Sequence, residues 1–277
     1  MKLARVARVG TYVCHRGVFA IECRSAESAV EVDRTFDAPF GLKTAEEAAD
    51  HLVSDLQSPG IARASVSVTI RGFGVAQHIL QLPPASDALL GPVIEREMRR
   101  LEPQLGEFAL QWMSLPSLDS GVTGAPNAPV QRSILATVAP SEVVTAFEQR
   151  LQGAGHRLEH LTTLPVAVHR ILEQFDSGTG TIATVLPLPD GAYIGFALSG
   201  GVRLIVDPPL PQDPAHEAAA LAEEVDLAAM FVRQQFRGAN LDRVVLIGAR
   251  PSLSELKGTV GGRLRIPVKQ IEAETLT

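Results

Sequence analysis

His156 and His160, four residues apart, come nearest in this chain to the types and spacing of a metal site. On a helix that spacing puts two imidazoles on one face, where they could hold zinc. Here the segment is flanked by Gly153 and Gly155 and reads as extended, and four residues of strand span about 13 Å. The two rings therefore cannot share an ion. His15, His51, His78 and His216 have no cysteine or carboxylate at ligand spacing, and His169 reads as a surface or packing residue of a following helix. A nucleophile elbow needs G-x-S-x-G. The run ALSGGVRL around Ser199 lacks the first glycine, and Gly200-Gly201 is what a tight hairpin demands. No Walker A sequence occurs, and Gly72-x-Gly74 is too short for a dinucleotide fingerprint. Glu95, Glu97, Glu223, Glu224 and Asp226 fall on helices whose other face is apolar, so they read as solvent-facing.

Composition bounds the scaffold that would have to position any site. With 277 residues, 45% of them hydrophobic and 20% charged, the chain can bury a substantial core as one large domain or two. Its formal net charge is −6, and its densest basic spots, Arg96/Arg99/Arg100 and Arg263/Arg265, are interleaved with apolar or acidic residues. Phosphate neutralisation needs clustered Lys and Arg, so no nucleic-acid partner is expected. Cys14 and Cys23 alone make no disulfide framework and fit a reducing cytoplasm. Arg5 and Arg8 interrupt any signal-peptide core, and nowhere do about 18 apolar residues run together. Membrane contact is expected only through a partner.

Alternation predicts strands with Phe19, Ile21 and Cys23 on one face, then at Val30 and Val32, then at Val66, Val68 and Ile70. Between them Thr44 and Glu47 form a capping box ahead of the stripe Ala45, Ala48, Ala49, Leu52, Val53, Leu56. From Gly74 a new unit opens: a short strand closed by Pro83 and Pro84, then a helix face of Leu89, Leu90, Val93, Ile94, Met98 and Leu101, capped by Ser86 or Asp87. The Gly- and Pro-rich segment after Trp112 reads as a surface loop. Residues 130–172 read as strand, helix, strand, helix. Three strands then follow in a meander, at 181–185, 192–198 and 202–206. Next come a long helix (Val225, Ala228, Ala229, Val232, Phe236) and a buried strand Val244–Ile247 ending at Gly248.

Three stretches carry a resemblance: VSVTIRGFGVAQHILQLPP, RSILATVAPSEVVTAFEQRLQGAGHRLEHLTTLPVAVHRIL and AEEVDLAAMFVRQQFRGANLDRVVLIG. In pattern they resemble PilM, the actin-like cytoplasmic protein of type IV pilus assembly, and more distantly FtsA and the cytoplasmic part of GspL. The resemblance implies an α/β, actin-like fold of two ribonuclease-H-like lobes. The first lobe would be 1–74 plus 156–177, the inserted α+β subdomain 75–155, and the second lobe 178–277. The second-lobe insertion is reduced or missing, because only DPPLPQDPAH separates the meander from the long helix.

The resemblance further implies a nucleotide ligand and binding of the short cytoplasmic tail of PilN. Active members carry a DxG phosphate turn after the first strand, and this chain reads RVGTYVCHRG there, without a carboxylate. At the second phosphate turn it reads VLPLPDGAYIGF, and at the adenosine turn Gly248 is followed by Ala249 and Arg250. Gly17, Asp190, Gly191 and Gly248 are weak nucleotide-binding remnants at most, and Pro-Asp-Gly suits an ordinary hairpin turn. No catalytic residue, metal ligand or cofactor is expected; ATP with Mg is the alternative, against the loss of key acidic and glycine residues. The expected role is a non-catalytic scaffold at the inner membrane, gripping a PilN-like tail with Val75, Ile79, Leu90 and Ile94. Self-association is compatible with it. The alternative is an ATP-binding switch of the same machinery.

Overall fold

The computed structural model describes residues 7–25, 30–39, 41–58, 60–83, 86–116, 132–176, 180–211, 213–236, 239–248 and 253–271. Its strands are β1 Ala7–Cys14, β2 Gly17–Ser25, β3 Val30–Pro39, β4 Ala64–Ile70, β5 Ala76–Leu82, β6 Phe108–Leu115 and β7 Arg132–Pro140. They continue with β8 Arg157–Thr162, β9 Thr181–Leu188, β10 Gly191–Leu198, β11 Gly201–Val206, β12 Leu241–Ile247 and β13 Val268–Ile271. The helices are α1 Ala45–Gln57, α2 Asp87–Leu101, α3 Ser141–Gly153, α4 Leu164–Phe175, α5 Pro214–Gln235 and α6 Leu253–Leu264.

Two five-stranded sheets repeat one topology. The first runs β3-β2-β1-β4-β8 and the second β11-β10-β9-β12-β13. In each, three strands joined as hairpins pair antiparallel, and two crossover strands then add parallel on the far side. A third sheet, β5-β7-β6, is antiparallel throughout and is inserted between β4 and α3. The expected two lobes and inserted subdomain are therefore present. β11 passes to α5 through residues 207–213 alone, so the second lobe carries no insertion there.

Local chemistry accounts for the elements of the first lobe. Thr44 accepts from the Glu47 backbone N–H, and the Glu47 carboxylate reaches back to Lys43 and Thr44, closing the capping box of α1. The stripe Ala48, Ala49, Leu52, Leu56 is fully buried and meets Val143, Phe147 and Leu151 of α3 over the β1–β4 sheet. This packing moves a boundary. α3 belongs to the first-lobe core, so the subdomain ends near Pro140 and not at 155. The inward face of β2 also differs from expectation: Val18 and Ala20 are buried, whereas Phe19 is half-buried and Ile21 exposed. Phe19 stacks instead on Tyr12 across the hairpin.

In the subdomain, Leu90, Ile94 and Met98 of α2 cover Leu80, Leu82, Ile134, Ala136 and Val138, which leaves the opposite face of the three-stranded sheet turned toward the lobes. Ser86 sits at the cap position of α2 without a side-chain hydrogen bond, and Leu89 is exposed. In the second lobe, α5 and α6 cover one face of the sheet. α4 covers the other through Leu164 and Val168, against Ile182, Tyr193, Val245 and Ile247. Asp176, at the end of α4, pairs with Arg243 of β12 at 2.8 Å and Lys269 of β13 at 3.6 Å, tying that helix to the second lobe. β6, α6 and β13 have no counterpart in the sequence reading, and β6 runs on to Leu115, into the segment expected to be loop. The Gly- and Pro-rich segment around 117–131 lies outside the described residues.

Candidate functional site

The lobes meet where two hairpin tips converge. The β1–β2 hairpin turns through His15 and Arg16, and the β9–β10 hairpin through Pro189 and Asp190, with Leu188 paired to Gly191. Asp190 and Gly191 thus form the ordinary hairpin that the Pro-Asp-Gly sequence favours. The tips touch: Arg16 Nη1 donates to the Pro189 carbonyl at 3.0 Å. Behind that contact Tyr12 Oη donates to Asp190 Oδ1 at 2.9 Å, and Arg71 Nη1 donates to the same oxygen at 3.3 Å. Arg71 Nη2 lies 3.6 Å from Asp207, which follows β11. Tyr12, Arg16 and Arg71 belong to the first lobe and their acceptors to the second, so this cluster is a clasp across the cleft.

Burial, and after it the Asp190 charge, push the Tyr12 hydroxyl far above its ordinary range, so it stays protonated and donates. The Cys14 thiol beside it is raised for the same two reasons and is inert near neutral pH. Burial also raises the Asp207 carboxyl; Arg71 opposes that rise and Asp190 adds to it. For Arg71, burial works against the charge, but Asp207 and Asp190 outweigh it and the guanidinium is held above its ordinary value.

His15 organises the near wall. Its Nδ1 lies 3.0 Å from the Leu42 carbonyl, which can only accept, so Nδ1 carries the hydrogen. Its Nε2 then accepts from the Phe73 N–H at 3.3 Å. The ring is neutral and both nitrogens are engaged, so neither is free for a metal or a phosphate. Gly72, Phe73 and Gly74 all have positive φ, and a Cβ on Gly72 would lie 2.7 Å from the His15 ring. The Gly72-x-Gly74 pair is thus a left-handed turn that seats the histidine.

A cavity of about 410 Å³ occupies the cleft, lined by His15, Ile70, Arg71, Gln77, Thr163, Leu164, Asp190 and Asp207, among others. These residues do not fit a nucleotide. A triphosphate needs backbone N–H groups and cations aimed at it, and two carboxylates and one guanidinium line this cavity. The first hairpin tip offers no carboxylate for a metal, and the clasp crosses the space between the tips. A Cβ on Gly191 would lie 2.7 Å from the Pro208 carbonyl, so that backbone packs on its own chain. Of the proposed remnants only Asp190 lines the cavity; Gly17 begins β2, and Gly248 packs near Leu186 and Leu253. Ala249 and Arg250 lie outside the described residues. Among the described residues no group of three metal-ligating side chains occurs.

A second cavity, apolar and about 110 Å³, opens between the uncovered face of the subdomain sheet and the first lobe. Ala109 and Gln111 of β6 and Thr137 and Ala139 of β7 form one side. Leu161 and Thr162 of β8, Val144 of α3 and Val166 of α4 form the other, with Ile70 and Val75 at the end. β6 and β8 are the edge strands of their sheets, so the groove is flanked by two strand edges that pair with no other strand among the described residues.

Of the expected tail-binding residues, Val75 lines this groove and the cleft cavity. Leu90 and Ile94 are 1% and 0% exposed in the subdomain core and do not line it. Ile79 is on the groove side of its sheet but packs against Leu115, Leu135 and Val202, toward the second lobe. Sequence reading missed Tyr12, Arg71 and Asp207, which have no local motif and meet only through the duplicated topology. It also missed the partner of His78, which is Glu102 at 2.6 Å.

The backbone matches solved structures along nearly its whole length. At 14% identity it superposes on the PilM-PilN type IV pilus biogenesis complex with a TM-score of 0.71, over 97% of this chain and 89% of that one. A Bacteroides thetaiotaomicron protein with an actin-like ATPase fold and unknown function follows at 9% identity and TM-score 0.57, covering 96% of this chain and 90% of that one. The chain has the actin-like fold. The cytoplasmic domain of EpsL, an inner membrane component of the Vibrio cholerae type II secretion system, matches at 13% identity and TM-score 0.51, over 88% of this chain and 83% of that one. No family model and no curated protein matches the sequence. Among the described residues no helix is long and apolar enough to cross a membrane.

Proposed function

We infer that this protein is a non-catalytic scaffold of a type IV pilus or type II secretion-like inner-membrane assembly, working in the cytoplasm. In this reading it grips an extended cytoplasmic tail of a PilN-like membrane protein. The observation that carries the reading is the pair of cavities: a clasped, carboxylate-lined cleft where the fold would place phosphates, and an apolar groove between two unpaired strand edges beside it. An extended peptide can add main-chain hydrogen bonds to such an edge and place alternate side chains in small apolar pockets. The likeness to the PilM-PilN complex and to EpsL supports the setting.

Ala109 and Gln111 are exposed on the groove wall, so a charge there leaves the core intact. Ala109→Glu and Gln111→Glu are expected to abolish capture of a PilN-like tail peptide while melting like the parent protein. Undiminished binding by both folded variants overturns the placement. One observation favours a second reading, an ATP-binding switch: Asp190 does face the cleft at the second hairpin tip. Arg71 and Tyr12 already engage that carboxylate.

A further inference from the structure

The groove does not end blindly. Ile70, Val75 and Thr163 line both the apolar groove and the cleft cavity, so the groove runs into the cleft. We propose that this junction is a specificity pocket in which Asp207, seconded by Asp190, receives a lysine or arginine side chain of the peptide lying in the groove. The proposal rests on the groove reading above and adds the chemistry of its ligand.

Three observations carry it. The first is the charge sum: among the described charged side chains lining the cleft cavity are two carboxylates and one guanidinium, since His15 is neutral, which leaves one negative charge over. The second is how that charge is divided. Asp190 accepts from both Tyr12 and Arg71. Asp207 has Arg71 as its only ion-pair partner among the described residues, at 3.6 Å and beyond a good hydrogen bond, and its side chain is 37% exposed. Asp207 is therefore the carboxylate with unused acceptor capacity. The third lies at the junction itself. Thr163 lines both cavities and is 3% exposed, and its Oγ1, buried in the wall, has no hydrogen-bond partner. A buried hydroxyl without a partner is costly and rare, and an ammonium or guanidinium at the junction would supply one once the hydroxyl rotates out of the wall. An anionic ligand would meet two carboxylates instead.

The test is a selection of linear dodecapeptides from a display library on the wild-type protein and on Asp207→Asn, followed by fluorescence anisotropy of one selected peptide and its Lys→norleucine analogue. Wild type should enrich an apolar, extended motif with Lys or Arg at one fixed position, and Asp207→Asn should enrich the apolar motif without the basic residue. The norleucine analogue should bind wild type about tenfold more weakly, the scale of a charge-assisted hydrogen bond, and Asp207→Asn less than twofold more weakly. Apolar peptides without a basic position, or an equal loss on both proteins, overturn the specificity pocket and leave the groove standing. Failure to enrich any peptide on wild type overturns the groove reading and this inference together.

Discussion

Replacing Arg71 with methionine keeps the bulk of the side chain and removes the only cation among the described residues that pairs with both Asp190 and Asp207. Breaking a fully buried pair costs about 3–5 kcal/mol and an exposed one about 0–1 kcal/mol. Here the side chains of Arg71, Asp190 and Asp207 are 20%, 17% and 37% exposed, and the cavity between them admits water. Solvent screening therefore places the loss between those limits, at about 2 kcal/mol, which for a chain of this size lowers the melting midpoint by about 4–8 °C.

The pH dependence follows from Asp207. Asp207 already sits above its ordinary value through burial and the Asp190 charge, and losing Arg71 raises it further. A carboxyl raised in the folded state costs stability above its folded pKa, and the cost fades as pH falls toward the unfolded value near ~3.9. The gap between Arg71→Met and wild type should be widest at pH 7 and close toward pH 4, read by thermal or urea unfolding across that range. A loss below about 0.5 kcal/mol, or a gap that does not change with pH, refutes the clasp.

Asp207→Asn removes the under-compensated charge, so its midpoint at pH 7 should match or exceed that of wild type, with any advantage gone by pH 4. A marked fall at pH 7 would show that Asp207 stabilises the cleft. Gly72→Ala places a Cβ against a ring fixed by Leu42 and Phe73 and forces alanine to φ near +90°, so a loss of about 2–3 kcal/mol in urea unfolding is expected. A loss under about 0.5 kcal/mol contradicts that role for the turn. Phe147→Ala opens a cavity between α1 and α3 and should cost about 3–5 kcal/mol. A loss nearer 1 kcal/mol would mean that α3 packs loosely and that the boundary at Pro140 is misplaced.

Much of the fold was legible because local and global signals agree. Thr44 and Glu47 announce α1, the hairpin between β10 and β11 turns at Ser199-Gly200, both at positive φ and one residue before the expected Gly200-Gly201, and the stripe Val225, Ala228, Ala229, Val232 of α5 is buried as its spacing requires. Periodicity marks a face as buried without saying what it is buried against. Spacing alone thus offers Leu90 and Ile94 to a groove, whereas they cover their own sheet. On β2 the larger Phe19 and Ile21 suggested the inner face, but Tyr12 gives Phe19 a partner on the outer side, and the smaller Val18 and Ala20 fit beneath α1. α6 escaped notice because Gly258, Gly261 and Gly262 dilute the stripe of Leu253, Leu256 and Val260. The clasp was illegible in principle: Tyr12, Arg71, Asp190 and Asp207 are ordinary residues in sequence, and only the repeated sheet topology makes their hairpin tips converge.

In the proposed scaffold the cleft is a clasp beside a peptide groove and holds no nucleotide. The most direct test of this is a thermal-shift titration with ATP, ADP and magnesium. A ligand with a Kd of 1 mM supplied at 5 mM stabilises the folded state by about 1 kcal/mol, or about 2–4 °C here. No shift at that concentration is expected from a cleft lined by Asp190 and Asp207 and crossed by Arg71. A saturable, magnesium-dependent rise would contradict the account and make the protein an actin-like nucleotide switch.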